Sequence, residues 1–146
     1  MRHWKAVPAA LIAALVSFLA FATPAHAAGT WGGAGTPFTI GYYNTAYTGF
    51  LPSAPSSVPS TSTITNVTYS ISYYAPQFPP GSFSAQLCSS STHCTTVYTY
   101  GSSTSYFNGM PARTNFYFKA SWVRIGGSGA IPGGVSVTDS IGVSYN

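Results

Sequence analysis

VTYSISYY, residues 67–74, alternates large and small side chains along nearly its whole length. A period of two is typical of a β-strand that buries one face and exposes the other. The residue types agree with the period, because Val, Ile, Tyr and Thr favour a pleated, half-buried surface. Residues 67–74 therefore predict a half-buried strand whose inner face carries Val67, Tyr69, Ile71 and Tyr73.

The same alternation recurs along the chain, in residues 38–43, 83–87, 96–100, 116–122 and 141–145. Gly and Pro stand between these runs, and no stretch shows a convincing helical period. Short strands with frequent turn signals favour two packed antiparallel sheets over a barrel. The sequence predicts an all-β fold, a small antiparallel β-sandwich of about six to eight strands.

Two segments interrupt the pattern. Residues 51–60 place three prolines among serines, and residues 126–134 are rich in glycine. The first lies too early in the chain to close a domain, so we interpret both as surface connections. Residues 28–146 are therefore expected to form one β-sandwich domain.

The amino terminus has the three parts of a secretory signal. Arg2 and Lys5 precede an apolar run of about 14 residues, and the small residues Ala25 and Ala27 follow. The run falls short of the roughly 20 residues that a membrane-spanning helix requires. We predict a signal peptide at residues 1–27, cleavage before Ala28, a periplasmic location and no embedded segment afterwards.

Charged side chains are scarce after residue 27, which limits the functions that the chain can perform. With one Asp, no Glu and one His, general acid–base catalysis has few candidate groups, so we expect no enzyme, no catalytic residue and no cofactor. Nucleic-acid binding is disfavoured, because it requires clustered Lys and Arg. The charged side chains of residues 28–146 are Arg113, Lys119, Arg124 and Asp139.

Two cysteines, Cys88 and Cys94, lie close together in this exported chain. Oxidising compartments favour a disulfide between them. A zinc site is the alternative, but it requires four ligands. His93 adds one ligand and Asp139 is distant in sequence, so we predict a disulfide and no metal site.

Aromatic side chains supply the candidate recognition surface. We expect Tyr43, Tyr74 and Tyr117 to be exposed, and with the flanking Lys119 and Arg124 they are candidates for an amphipathic contact patch. The alternative is structural, because cross-strand aromatic pairs stabilise a sheet without touching any partner. The sequence leaves both interpretations open.

Several segments together resemble the FlhE family of exported flagellar proteins. The family's pattern is a cysteine pair, a turn, an aromatic strand, a Gly-rich turn with a Pro, and a terminal strand. The matching segments are Leu87-Cys88-Ser89 with Cys94, Phe107-Asn108-Gly109 with Pro111, residues 116–122, residues 126–132 and residues 140–146, with Gly29-Thr30-Trp31 and Gly41-Tyr42-Tyr43 at the front. This chain departs from the family in its few charges and its expanded segment 51–60.

The resemblance implies a periplasmic β domain that assists flagellum assembly. Its expected partner is a protein, a component of the flagellar rod or of the export apparatus, for which it acts as a chaperone or plug. If residues 140–146 form an edge strand, they could pair with an extended client segment. The partner contacts would then be Ile141, Val143 and Tyr145, flanked by Lys119 and Arg124.

Two other functional classes remain open at this point. A secreted pilus or coat structural subunit would complete its fold with a donated strand, although the glycine-rich residues 28–36 make a poor donor. A carbohydrate-binding module would instead use exposed aromatic rings.

Overall fold

The computed structural model describes residues 28–146, so the predicted signal peptide, residues 1–27, lies outside the described residues. The described part contains nine strands and no helix. The strands are β1 (Gly29–Ala34), β2 (Phe38–Tyr42), β3 (Tyr47–Phe50), β4 (Ile64–Tyr74), β5 (Ser82–Cys88), β6 (Cys94–Val97), β7 (Ser102–Thr104), β8 (Tyr117–Val123) and β9 (Ala130–Tyr145).

The strands form two antiparallel sheets. One has the order β1-β9-β4-β7, with β2 also paired to β9, and the other has the order β3-β8-β5-β6. This confirms the predicted antiparallel sandwich. The strand number exceeds six to eight because β1 is rich in glycine and β7 has only three residues, and neither segment shows a clear alternation.

The core lies between the two sheets and follows the predicted period, except that Tyr73, near the end of β4, is 41% exposed. Val67, Tyr69 and Ile71 of β4 are buried, whereas the intervening Thr68 is exposed. In the second sheet, the buried side chains of β8 are Phe118, Ala120 and Trp122. Loop residues add a buried aromatic pair at the same core, because the rings of Phe107 and Phe116 meet edge to face at 4.9 Å.

Strand β9 begins earlier than the sequence suggests. Ala130 to Gly134 belong to the strand, although we expected a loop over residues 126–134. Gly133 and Gly134 have φ angles of 72° and 65°, and the pairing of β9 with β2 changes register next to them. Glycine adopts positive φ without steric cost, so the strand continues through an irregularity instead of ending.

The same strand is central in its sheet, and the expected edge strand at residues 140–146 is wrong. Gly142 pairs with Gly32 of β1 on one side and with Thr68 of β4 on the other. Ile141 and Val143 are buried in the core. Strand β1 lies at the edge of this sheet. Its glycines allow a close approach to β9, because a β-carbon on Gly32 would collide with the carbonyl of Ile141.

The predicted disulfide is present. Cys88 ends β5 and Cys94 begins β6, and the bond between them closes the hairpin. The two residues are also partners in the antiparallel register, which brings their Cα atoms to 4.1 Å. The disulfide therefore belongs to the sheet itself and lies at the end of the sandwich where β5 terminates.

One carboxyl group lies inside the sandwich. Asp139 points from β9 into the space between the sheets, and neither carboxylate oxygen has a hydrogen-bond partner among residues 28–146. A β-carbon on Gly35 or on Gly49 of β3 would collide with this carboxylate, so both glycines make room for it. Desolvation by burial raises the pKa of Asp139 to about 6.

Candidate docking surface

One end of the sandwich exposes a group of large apolar side chains on neighbouring connections. The β4–β5 loop, residues 75–81, lies beside the β8–β9 loop, residues 124–129, because Ser82 at the start of β5 pairs with Val123 at the end of β8. We call the exposed apolar residues of this end the apical surface. It comprises Tyr42, Tyr74, Phe78, Val123 and Ile125.

The two loops carry the most exposed members of the apical surface. The side chain of Phe78 is 90% exposed, and that of Ile125 is 100% exposed. Large apolar side chains on two adjacent loops are a stronger sign of an interaction surface than a single exposed residue.

An aromatic cleft of about 330 Å³ opens beside Phe78. Its floor is Trp122, whose Nε1–H donates a hydrogen bond to the carbonyl of Pro80 at 3.2 Å. The Tyr73 ring meets Trp122 edge to face at 5.3 Å and stacks on Phe83 at 4.7 Å. These contacts fix the walls of the cleft, which is lined by Tyr73, Tyr74, Ala75, Phe78, Pro79 and Trp122.

Phe78 holds an unfavourable backbone conformation. Its φ angle is 44°, a region that non-glycine residues adopt at a cost, and its N–H donates to the carbonyl of Ala75 at 3.3 Å in a turn. The exposed ring gains little packing in return. A strained residue that presents an aromatic ring to solvent is a candidate contact residue.

The side chain of Asn44 fixes the β8–β9 loop, residues 124–129. Its side-chain amide donates to the carbonyls of Arg124 and Gly127, and its side-chain oxygen accepts from the Arg124 N–H at 2.9 Å. The Asn44 backbone N–H also donates to the carbonyl of Trp122. The loop that carries Ile125 is therefore fixed by a polar side chain from the β2–β3 connection.

Arg124 is the cation of this end. Its guanidinium lies 5.2 Å from the centroid of the Tyr43 ring, a cation–π geometry. The sequence-based expectation that Tyr43 is exposed is wrong, since the residue is only 6% exposed. Its ring is buried because the Tyr43 backbone pairs with both Trp122 and Gly129, which draws it into the closed end of the sandwich.

The other sequence-predicted contact residues lie apart from this surface. Lys119 sits midway along β8, with its Nζ atom 5.9 Å from the half-buried Tyr117 ring. Ile141 and Val143 are core residues, and Tyr145 is half-buried beside Gly29 at the opposite end of the sandwich. The structure thus brings Tyr74 and Arg124 to one end of the sandwich. The other predicted contact residues do not share a surface with them.

Metal binding and membrane crossing can be assessed only for the described part of the chain. Residues 28–146 contain no cluster of three His, Cys, Asp or Glu side chains that could hold a metal ion. The His93 ring instead stacks on Tyr106 at 4.7 Å. The same residues include no helix long and apolar enough to cross a bilayer.

Comparison with known proteins relates the chain to a solved structure and to no sequence family. No family model matches the chain, and no curated protein matches it. Among solved structures, the crystal structure of FlhE superimposes with a TM-score of 0.66 at 23% sequence identity. The chain has the fold of FlhE. The match covers 82% of this chain and 97% of the FlhE chain, which confirms the predicted resemblance at the level of the fold.

Sequence reasoning missed Phe78 and Ile125. Both stand in turn-rich segments, Phe78 before two prolines and Ile125 before two glycines. A large apolar residue in a segment that must lie at the surface was the signal that could have identified them.

Proposed function

We propose that this chain is a non-enzymatic accessory protein of the bacterial flagellum. It acts in the periplasm, where it assists flagellum assembly as a chaperone or plug for a rod or export-apparatus component. The observation that carries the proposal is the fold match, which spans nearly the whole of FlhE. The exposed apical surface supports it, because a protein that acts by covering other molecules requires accessible apolar area.

Deletion of the gene is expected to reduce the number of flagella and to impair swarming. Electron microscopy and swarm-plate assays measure the two effects, and expression of the full chain from a plasmid should restore both. The complementing plasmid separates loss of this protein from effects on neighbouring genes. Normal flagella and normal swarming in the deletion strain would contradict the flagellar proposal.

The protein in the periplasm is expected to begin at Ala28. Ala25 and Ala27 are the small residues that a signal peptidase accepts before its cleavage site. Intact-mass analysis of the protein from a periplasmic extract tests this. A mature mass that still includes residues 1–27 would refute the cleavage.

A carbohydrate-binding module is the second candidate, and the aromatic cleft favours it. Tyr73, Tyr74 and Trp122 surround an open apolar space of a kind that can stack against a sugar ring. A glycan-binding screen distinguishes this function from the flagellar one. The third class, a pilus subunit, has less support, because β1, which includes most of the candidate donor segment, pairs with β9 of its own chain.

A further inference from the structure

We propose that the apical surface docks on an anionic lipid bilayer, with Phe78 and Ile125 inserted between the headgroups. This is peripheral attachment by loops and involves no membrane-spanning segment. The inference rests on the exposure, hydrogen bonding and charge of one end of the sandwich. It does not depend on the proposed flagellar function.

The shape of the apical surface fits a bilayer. Phe78 and Ile125 lie on two adjacent loops beyond the ends of the strands, and both are almost fully exposed. A bilayer interface accepts protruding apolar side chains anywhere on its plane, whereas a protein partner must supply a matching pocket for each. Tyr42 and Tyr74 end β2 and β4 behind these loops, and tyrosine is enriched at the membrane–water interface.

Several backbone carbonyls of the loop that carries Ile125 are already hydrogen-bonded within the protein. Asn44 occupies the carbonyls of Arg124 and Gly127, and the carbonyl of Gly129 accepts from the Tyr43 N–H. Unpaired backbone groups are costly in an apolar medium. The Asn44 contacts therefore lower the cost of moving the Ile125 loop out of water.

The charge of the described surface selects an anionic bilayer. Asp139 is the only carboxyl side chain of the protein and it is buried, so the charged side chains that residues 28–146 expose are all basic. Arg124 precedes Ile125 in the chain and borders the apical surface. A basic residue close to an anionic leaflet strengthens binding, and no acidic side chain opposes it.

Flotation with lipid vesicles tests the inference on protein purified from the periplasm. The unmodified protein should float with vesicles of phosphatidylethanolamine and phosphatidylglycerol, and less with vesicles of phosphatidylcholine alone. Phe78→Ser and Ile125→Ser should each lower the partition coefficient by about tenfold or more. Arg124→Gln should lower binding to the anionic vesicles by about fivefold and leave binding to the neutral vesicles unchanged.

Phe50→Ser is the matched control. Phe50 is 70% exposed, but it lies on β3 toward the opposite end, where its partner Tyr117 pairs with Cys88. This variant should float as well as the unmodified protein. An equal loss with Phe50→Ser and Phe78→Ser would overturn the inference, because binding would then depend on general hydrophobicity.

The two tryptophans of residues 28–146 report which end meets the lipid. Trp122 forms the floor of the aromatic cleft beside Phe78. Trp31 lies on β1, and its Nε1–H donates a hydrogen bond to the carbonyl of Ala112. In the Trp31→Phe variant, brominated lipids should quench the remaining Trp122 emission. Failure to float, or floating without this quenching, would refute the inference.

Failure of lipid binding can be distinguished from failure of the proposed flagellar function. Two results together would assign the apical surface to a protein client. The protein would not bind vesicles, and the Phe78→Ser variant would not restore swarming in the deletion strain. These results would overturn the bilayer inference and leave the flagellar proposal standing.

Discussion

Gly142→Pro is expected to destabilise the domain strongly. Gly142 lies in the middle of β9, between Gly32 of β1 and Thr68 of β4. Proline has no N–H for the strand ladder, and its ring cannot be placed beside a neighbouring strand without displacing it. We expect a loss of about 4 kcal/mol or more, the exceptional range for a single substitution, and a large part of the 5 to 15 kcal/mol that stabilises a typical domain.

Gly142→Ser is the control for this change. A β-carbon at position 142 would meet the hydroxyl of Thr68, the end of a short side chain that can rotate. The serine variant retains the backbone N–H, so it should unfold within about 1 kcal/mol of the unmodified protein. Circular dichroism during urea denaturation measures all three proteins. A cooperative transition with an unchanged midpoint for Gly142→Pro would contradict the central position of β9.

The alternation of residues along each strand was readable from the sequence, but the order of the strands was not. The period of two in residues 67–74 identified β4 and its buried face, because that information is local. Placing β9 at an edge failed because neighbour choice depends on contacts between distant segments. Gly32 and Gly142 face each other across β1 and β9, and nothing in either segment alone indicates this pairing.

The candidate site was only partly predictable for a related reason. Tyr74 and Arg124 were identified, but Tyr43 was expected to be exposed and is buried beneath Arg124. The strand period assigns a side chain to one face of a sheet, and at a strand end the adjoining loops decide its exposure. Phe78 and Ile125 were missed because they follow no periodic pattern, and only their position on adjacent loops gives them a common surface.

Asp139→Asn is expected to stabilise the folded domain at neutral pH. The carboxylate of Asp139 has no hydrogen-bond partner in the described part of the chain and is held against Gly35 and Gly49. The amide is nearly the same size and has no charge to desolvate. A pKa raised from 3.8 to about 6 corresponds to roughly 3 kcal/mol. The buried amide of the variant also lacks hydrogen-bond partners, and this cost leaves a net gain of about 1 to 2 kcal/mol.

The pH dependence of this effect has a definite sign. The folded-state pKa of Asp139 lies above its unfolded value, so the folded state binds the proton more tightly. The penalty is absent below about pH 4 and complete above about pH 6. The free energy of unfolding should therefore rise as the pH falls from 7 to 4, and no other carboxyl side chain in the protein can oppose the trend.

Urea denaturation at a series of pH values measures this slope. The Asp139→Asn variant lacks the contribution of Asp139, whereas His93 is present in both proteins. The difference between their curves of unfolding free energy against pH therefore gives the contribution of the Asp139 carboxyl. Thr138→Asn is the matched control, since Thr138 is the exposed neighbour on β9 and its hydroxyl lies 2.8 Å from that of Ser72. This variant should keep the slope of the unmodified protein. Parallel curves for Asp139→Asn and the unmodified protein between pH 4 and 7 would mean that the Asp139 carboxyl is solvated, and that the space beside Gly35 and Gly49 is open to water.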